Sequence, residues 1–330
     1  MTSVTARRVL LGQLLALLAA NQTVLAQPRR ARVGWLSFAT LPKGETRTPG
    51  EALLLGALRL KGWSEPGSLV LESRGPAVDK TLAMAAAELV ALRPEVLVSA
   101  GTPAIRALRD LTRDIPIVMV GAGDPVGTGL VASLARPGGN VTGVSWRLDE
   151  LIPKTLSLLH EMVPRARRVD LVIQAGDPGH ARFAKVMADA ARARGLASQT
   201  MQVKDADELV AKISGSTADA LLLIATAMIY RQPERLAEAA VARRLPIAVT
   251  GGPARDPTAS GLLCSYTPRE QELYRRAAEC IDRILRGAKP ADIPVEQPLR
   301  YDFIINLRTA RAMDLKVPRA LRLSADELIE

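Results

Sequence analysis

Aromatic residues make up only 3% of this 330-residue chain, and it carries just two cysteines and two histidines. Each scarcity removes a class of function. A zinc site needs clustered thiolates and imidazoles, and Cys264, Cys280, His160 and His180 form no such cluster. A Ser-His-Asp triad would have to use one of the two histidines, and neither has a nucleophile in a recognisable local context. His180, directly after Pro178-Gly179, reads as an exposed helix start. G-x-S-x-G, P-loop and H-E-x-x-H signatures are all missing. The Gly121–Gly127 run approximates a dinucleotide fingerprint only loosely. Its last glycine comes one residue late, Pro125 interrupts it, and it follows the fourth strand rather than the first. No metal and no cofactor are expected.

Charge is not scarce, but it is dispersed. The net charge of +10 invites a nucleic-acid reading, because phosphate attracts Lys and Arg. The basic clusters Arg29-Arg30, Arg165–Arg168 and Arg275-Arg276 lack an accompanying aromatic ladder, and solvated helix faces account for them. Nucleic acid is therefore not an expected partner. Long apolar runs are also lacking. The one at Val9–Ala20 is about 12 residues, short of the roughly 20 that a spanning helix needs. Arg7-Arg8 before it and Val24-Leu-Ala26 after it complete the pattern of a secretory signal peptide over 1–26, cut near Ala26. No cysteine stands at that point to carry a lipid anchor. A soluble, periplasmic mature chain is expected.

An exported chain with two cysteines could form a bridge. Cys264 lies in a strand-like run and Cys280 within a helical stretch, which favours two separately buried thiols. An apolar content of 48% is ample for cores, which must be built from Leu, Val, Ile and Ala.

From residue 32 onward, strand and helix patterns alternate. Strands are predicted near 32–37, 68–73, 95–100 and 115–120, with helices at 50–61, 79–92 and 102–111 between them. Thr102 reads as the cap of the third helix, with Pro103 at its first position. A second series follows, with strands near 168–174, 199–204, 220–225 and 246–250 and helices at 149–162, 179–194, 205–215 and 233–244. Short strands joined by helices mean βαβ units and parallel sheets. The end adds a strand at 262–265, a long helix at 269–285, a proline-spaced segment at 290–298 read as extended, a strand at 301–305 and a helix capped near Asn306.

Gly123–Gly143, GDPVGTGLVASLARPGGNVTG, follows a buried strand and places a Gly-Asp-Pro turn at its carboxyl end, where open α/β sheets bind ligands. This stretch, together with Ala100-Gly-Thr-Pro-Ala104, Ser265-Tyr266, Gly287–Pro298 and Ala325–Glu330, resembles the solute-binding components of ABC importers of the TrpXYZ-like group. The resemblance covers most of the mature chain. It implies the type I periplasmic-binding-protein fold, in which two doubly wound, Rossmann-like α/β domains are joined by a three-segment hinge. The chain would cross near 143–146, 264–267 and 292–299, giving one lobe of 27–143 plus 267–292 and another of 144–266 plus 293–330. The resemblance further implies a monomer that closes on a small organic ligand, amino-acid-like by preference, and delivers it to an ABC permease and its ATPase.

The candidate ligand-binding residues are those at strand carboxyl ends: Ser37, Ser99, Gly101, Thr102 and Asp124 in the first lobe, and Gln174, Asp177, Thr226 and Thr250 in the second. Thr102 would favour a carboxylate at a helix amino terminus, or simply cap that helix. Asp124 would face a ligand ammonium, or simply shape the turn before Pro125. Trp146, at the first crossing, either packs the hinge or stacks on the ligand. The loops at 174–178 and near 226 depart from the group's usual Asn-Pro turn and Pro-Asp pair. An exported α/β enzyme using the same crevice is the alternative; a sugar-responsive regulator would need a DNA-reading helix-turn-helix where this chain has an export signal.

Overall fold

A computed structural model describes residues 30–38, 47–77, 80–177, 180–252 and 255–330. The leader reading over 1–26 lies outside them. The first half alternates β1 (Ala31–Leu36), α1 (Pro49–Arg59), β2 (Leu69–Arg74), α2 (Leu82–Ala91), β3 (Val96–Ser99), α3 (Thr102–Leu111), β4 (Ile117–Ala122) and β5 (Val141–Ser145). Its five strands form one parallel sheet in the order β2-β1-β3-β4-β5. Both faces of this sheet are covered by helices. That is why β3, β4 and β5 are buried along their whole length and read as apolar runs rather than alternating ones.

The second half continues with α4 (Leu148–Met162), β6 (Val169–Gln174), α5 (His180–Arg192), β7 (Thr200–Val203), α6 (Ala206–Ser214), β8 (Ala220–Ile224), α7 (Ala227–Arg231), α8 (Pro233–Ala242), β9 (Ile247–Thr250), α9 (Arg255–Ala259) and β10 (Cys264–Pro268). Then come α10 (Glu270–Leu285), a 3-10 turn (Pro290–Asp292), β11 (Tyr301–Asn306), α11 (Leu307–Ala312), α12 (Arg319–Ser324) and β12 (Glu327–Ile329). The second sheet runs β12-β11-β10-β9-β8-β6-β7, with β10 and β11 its antiparallel pair.

Sequence-local chemistry sets the helix starts. Thr48 and Glu51 form a reciprocal capping box at α1, with Pro49 in the first turn. The Asp205 carboxylate accepts from Glu208 N at 2.8 Å at α6, and Asn306 Oδ1 accepts from Thr309 N at 3.0 Å at α11. In α10 the buried positions Leu273, Ala277, Cys280, Ile281 and Ile284 recur at helical spacing. They pack into the first sheet's core beside Val118, Val120 and Val144. Thus α10 belongs to the first sheet although β10 before it and β11 after it lie in the second.

Four local expectations need correction. Thr102 is the first helical residue of α3 and Gly101 the cap, with no side-chain hydrogen bond at that end. Residues 141–145, for which no strand is predicted, form the edge strand β5. Asn140 N–H groups holding Thr112 and Ile115 carbonyls deliver the chain to that edge. Pro290–Asp292 closes a single 3-10 turn where an extended segment was expected, since a proline is tolerated in a first turn. The strand expected at 262–265 instead runs from Cys264 to Pro268, held by its antiparallel register with β11.

Where the chain leaves β5, Trp146 lies across both halves. Its indole touches the core clusters of both sheets. A Cβ on Gly121, whose φ is +85°, would fall inside this ring, 2.5 Å from Cδ1 and closer still to Nε1. From the other side, Gly251 and Gly252 sit 3.8 and 3.7 Å from the ring, measured from where their Cβ atoms would be. Only glycine at 121 leaves room for the indole in this position. Gly121→Ala should cost about 1–3 kcal/mol and red-shift tryptophan emission, measured by denaturant titration and fluorescence. Wild-type values for both would show that the indole does not depend on Gly121.

Cys264 is buried in the second sheet's core and Cys280 in the first sheet's, and both are free. Burial raises both thiols, Cys280 to about 12. Neither should react with a disulfide reagent near pH 8 until the protein is unfolded, when two thiols should titrate. Rapid reaction of either thiol in the native state would contradict this packing.

Candidate functional site

In a doubly wound sheet the crevice opens where strand order reverses. In the first sheet that point lies between β1 and β3, and in the second between β6 and β8. The residues just past those strand ends are Ser37 and Phe38, Ala100–Thr102, Gln174–Asp177 and Ala225–Thr226. These loops hold Ser37, Gly101, Thr102, Gln174, Asp177 and Thr226 of the expected residues, with Ser99 ending β3, whereas Asp124, Trp146 and Thr250 stand at the ends of β4, β5 and β9.

The two sets of loops meet. Arg182 on α5 donates to Asp124 Oδ2 at 2.6 Å, joining the second half to the end of β4. Phe38, past β1, packs edge-on to Tyr230 of α7, with ring centroids 6.4 Å apart. A Cβ on Gly123 would lie 3.0 Å from Leu148 and 3.1 Å from Phe183. These contacts join the two halves.

The candidate side chains have different local commitments. Ser99 Oγ donates to the Leu36 carbonyl at 2.8 Å, and Thr250 Oγ1 donates to the Tyr266 carbonyl at 3.1 Å. Both hydroxyls fix strand ends. Asp124 Oδ1 accepts from Gly127 N at 2.8 Å, and its carbonyl accepts from Thr128 Oγ1, so the turn role and the contact to Arg182 coexist. Ser37 and Thr102 are buried at their strand ends. A Cβ on Gly101 would meet open space, and its φ of +80° is one that glycine adopts without strain. Thr226 caps α7 without a side-chain hydrogen bond. Trp146 fills the hinge, with its buried Nε1 unpaired.

Gln174 N donates to His180 Nδ1 at 3.1 Å, and Asp177 lies 3.5 Å from His180 Nε2. His180 is therefore buried, against the exposed helix start expected of it. Burial lowers its pKa, opposed by Asp177 and the Gln174 contact. The imidazole ties the loop after β6 to α5.

Residues that the sequence reading passed over complete the site: Phe38, Arg182, Phe183, Tyr230 and Glu270. The signal available for the first, third and fourth was rarity. With three Phe and four Tyr in the chain, an aromatic within a few residues of a strand end carries information. Tyr230 follows Thr226 by one helical turn. Glu270, the first residue of α10, is half-buried, and desolvation together with nearby Asp256 raises its carboxyl to about 7. Among the described residues no group of three or more His, Cys, Asp or Glu is arranged to hold a metal ion. No helix there is long and apolar enough to cross a membrane.

Known proteins share both the sequence pattern and the architecture. A tyrosine-binding protein of Clostridioides difficile is 27% identical over 280 residues, covering 82% of this chain and 77% of its own. An ABC domain from Streptococcus pneumoniae solved in complex with L-Trp superposes with a TM-score of 0.79 at 23% identity, covering 91% of this chain and all of its own. A conserved domain protein from Vibrio cholerae gives 0.80 at 22% identity, with the same coverage. The fold is thus the type I periplasmic-binding fold. The family model described as ABC transporter substrate binding protein matches residues 57–329, and the chain belongs to that family, a solute-binding receptor by descent and by architecture.

Proposed function

We propose that the ligand is an amino acid, with the aromatic ones the first to test, and that the protein grips it between two lobes without chemical change. The observation that carries this reading is the meeting of two sets of strand-end loops, linked by Arg182–Asp124 and Phe38–Tyr230. A crevice lined by aromatic rings suits a ligand that presents an aromatic face. The relatives named for tyrosine and bound to L-Trp support the same class. The uncapped amino end of α3, at Gly101-Thr102, suits the carboxylate.

The moving units would be 27–143 plus 267–292 and 144–266 plus 293–330, pivoting on Trp146, β10 and the segment before β11. The Arg182–Asp124 pair then acts as a latch. Arg182 is 57% exposed and Asp124 11%, so screening limits the pair to at most about 1 kcal/mol. A latch this weak does not hold the lobes shut alone, and ligand contacts to both sides supply the rest. In this reading the mature chain, cut near Ala26, is a periplasmic monomer whose closed form docks on an ABC permease driven by its ATPase. It has no catalytic role.

Thermal melting with L-tyrosine and L-tryptophan tests the ligand class. At a hundredfold excess over Kd the folded state gains about 2.7 kcal/mol, which should raise Tm by several degrees, with the compound recovered unchanged. No shift with any amino acid, or recovery of a converted product, would contradict the proposal. Arg182→Ala should weaken binding about two- to fivefold, and the deficit should shrink in high salt. An unaltered Kd at low salt would remove the latch from the account.

A further inference from the structure

Glu270 is half-buried with no hydrogen-bond or ion-pair partner among the described residues. It begins α10, immediately after β10 has carried the chain out of the second sheet. The groups that face it come from three helices. Tyr274 is on its own helix, Asp256 comes from α9, and Tyr230 comes from α7. Glu51, from α1, also acts on Tyr274. None of these groups is a cation.

The neighbouring arginines are committed elsewhere. Arg269 pairs with Asp302 and Asp326, and Arg255 pairs with Glu327 at 2.7 Å and reaches Asp256 at 3.9 Å. A half-buried carboxylate whose described neighbours are acidic and phenolic is costly to ionise unless a cation arrives.

A second observation points to the same place. The Tyr230 hydroxyl is wholly buried without a hydrogen-bond partner. It stands 3.2 Å from where a Cβ would sit on Gly252, while its ring meets Phe38 of the opposite side. Across Tyr274, 6.2 Å away by ring centroids, the indole Nε1 of Trp35 is also unpaired, in a residue only 2% exposed. Buried polar atoms of native proteins are nearly always paired. Here an unpaired phenol faces an unpaired carboxylate, and an unpaired indole lies on the other side of Tyr274.

We propose that Glu270 is the counter-charge for a protonated amine on the ligand, and that it rather than Asp124 sets the requirement for that amine. Asp124 already serves Gly127 and Arg182. This assignment rests on the amino-acid reading and names the group within the site that recognises the ammonium. Among the described residues no cation acts on Glu270 or the two phenols, and a protonated amine would supply one. Binding must then ionise Glu270, so the affinity becomes linked to pH.

The sign follows from the raised carboxyl. Below about 7 the free protein holds a proton on Glu270 that amine binding must displace, and above about 7 it does not. Affinity should therefore rise from pH 5.5 to pH 8, by about tenfold or more, while the amine of an amino acid stays protonated throughout.

Calorimetric titration of the full chain tests this with L-tyrosine, L-tryptophan and their deaminated analogues, 3-(4-hydroxyphenyl)propionate and indole-3-propionate. The wild type should prefer the amine-bearing members and show the pH rise. Glu270→Gln, nearly isosteric, should bind both kinds alike and lose most of the pH dependence, with Tm at pH 8 unchanged or higher because an unpaired charge has gone. Asp256→Asn should keep the amine preference and move the midpoint of the pH rise downward. If Glu270→Gln retains both the amine preference and the pH profile, the assignment falls while the receptor reading stands. If the wild type binds no amine-bearing compound, the ligand class and this assignment fall together.

Discussion

One indole holds the geometry of this molecule together. Trp146 occupies space that only glycine at 121 leaves open, and it is flanked by Gly251 and Gly252 from the second half. Because the same ring touches both cores, it sets how the two sheets face each other. Strand carboxyl ends of a parallel sheet and of a mostly parallel one stand on either side of that ring. With a side chain at 121 the ring would move, and Phe38, Tyr230, Asp124 and Arg182 would no longer meet at the distances seen here.

The energetics favour a receptor that the ligand completes. Each core is sealed by its own helices, including α10, which returns to the first sheet to cover Val118, Val120 and Val144. By contrast, away from the chain crossings, where Arg269 and Arg276 pair with Asp302 and Glu296, the halves are linked by the Arg182–Asp124 pair and the Phe38–Tyr230 ring contact. The halves are thus firm units with a modest preference for contact. Groups without partners remain among the described residues: the Tyr230 hydroxyl and the Glu270 carboxylate. On the proposed reading, a guest that satisfies them would bind the closed form better than the open one, and that difference would drive closure.

Much of this was legible from the residues alone. Apolar runs such as 115–120 and 220–225 identify buried parallel strands because a two-sided sheet leaves no polar face, and Asp205 and Asn306 announce their helices through capping chemistry. The strand-end rule led to the loops at Ser37, Gly101-Thr102, Gln174 and Thr226. What the residues did not disclose depends on contacts distant in sequence. β5 is a strand because Asn140 and β4 hold it, and His180 is buried because Gln174 and Asp177 fold back on it. Arg182 and Glu270 look like any charges on amphipathic helices, and only the meeting of the halves separates them from solvated neighbours. Family resemblance supplied the importer setting, which composition and periodicity do not contain.

The central claim is that two firm lobes close on a small guest. Small-angle X-ray scattering of the purified chain, with and without saturating L-tyrosine or L-tryptophan, addresses it most directly. The account predicts a smaller radius of gyration and a shorter maximum dimension once ligand is bound, at unchanged molecular mass. An identical scattering profile under conditions where calorimetry shows the site to be full would contradict it.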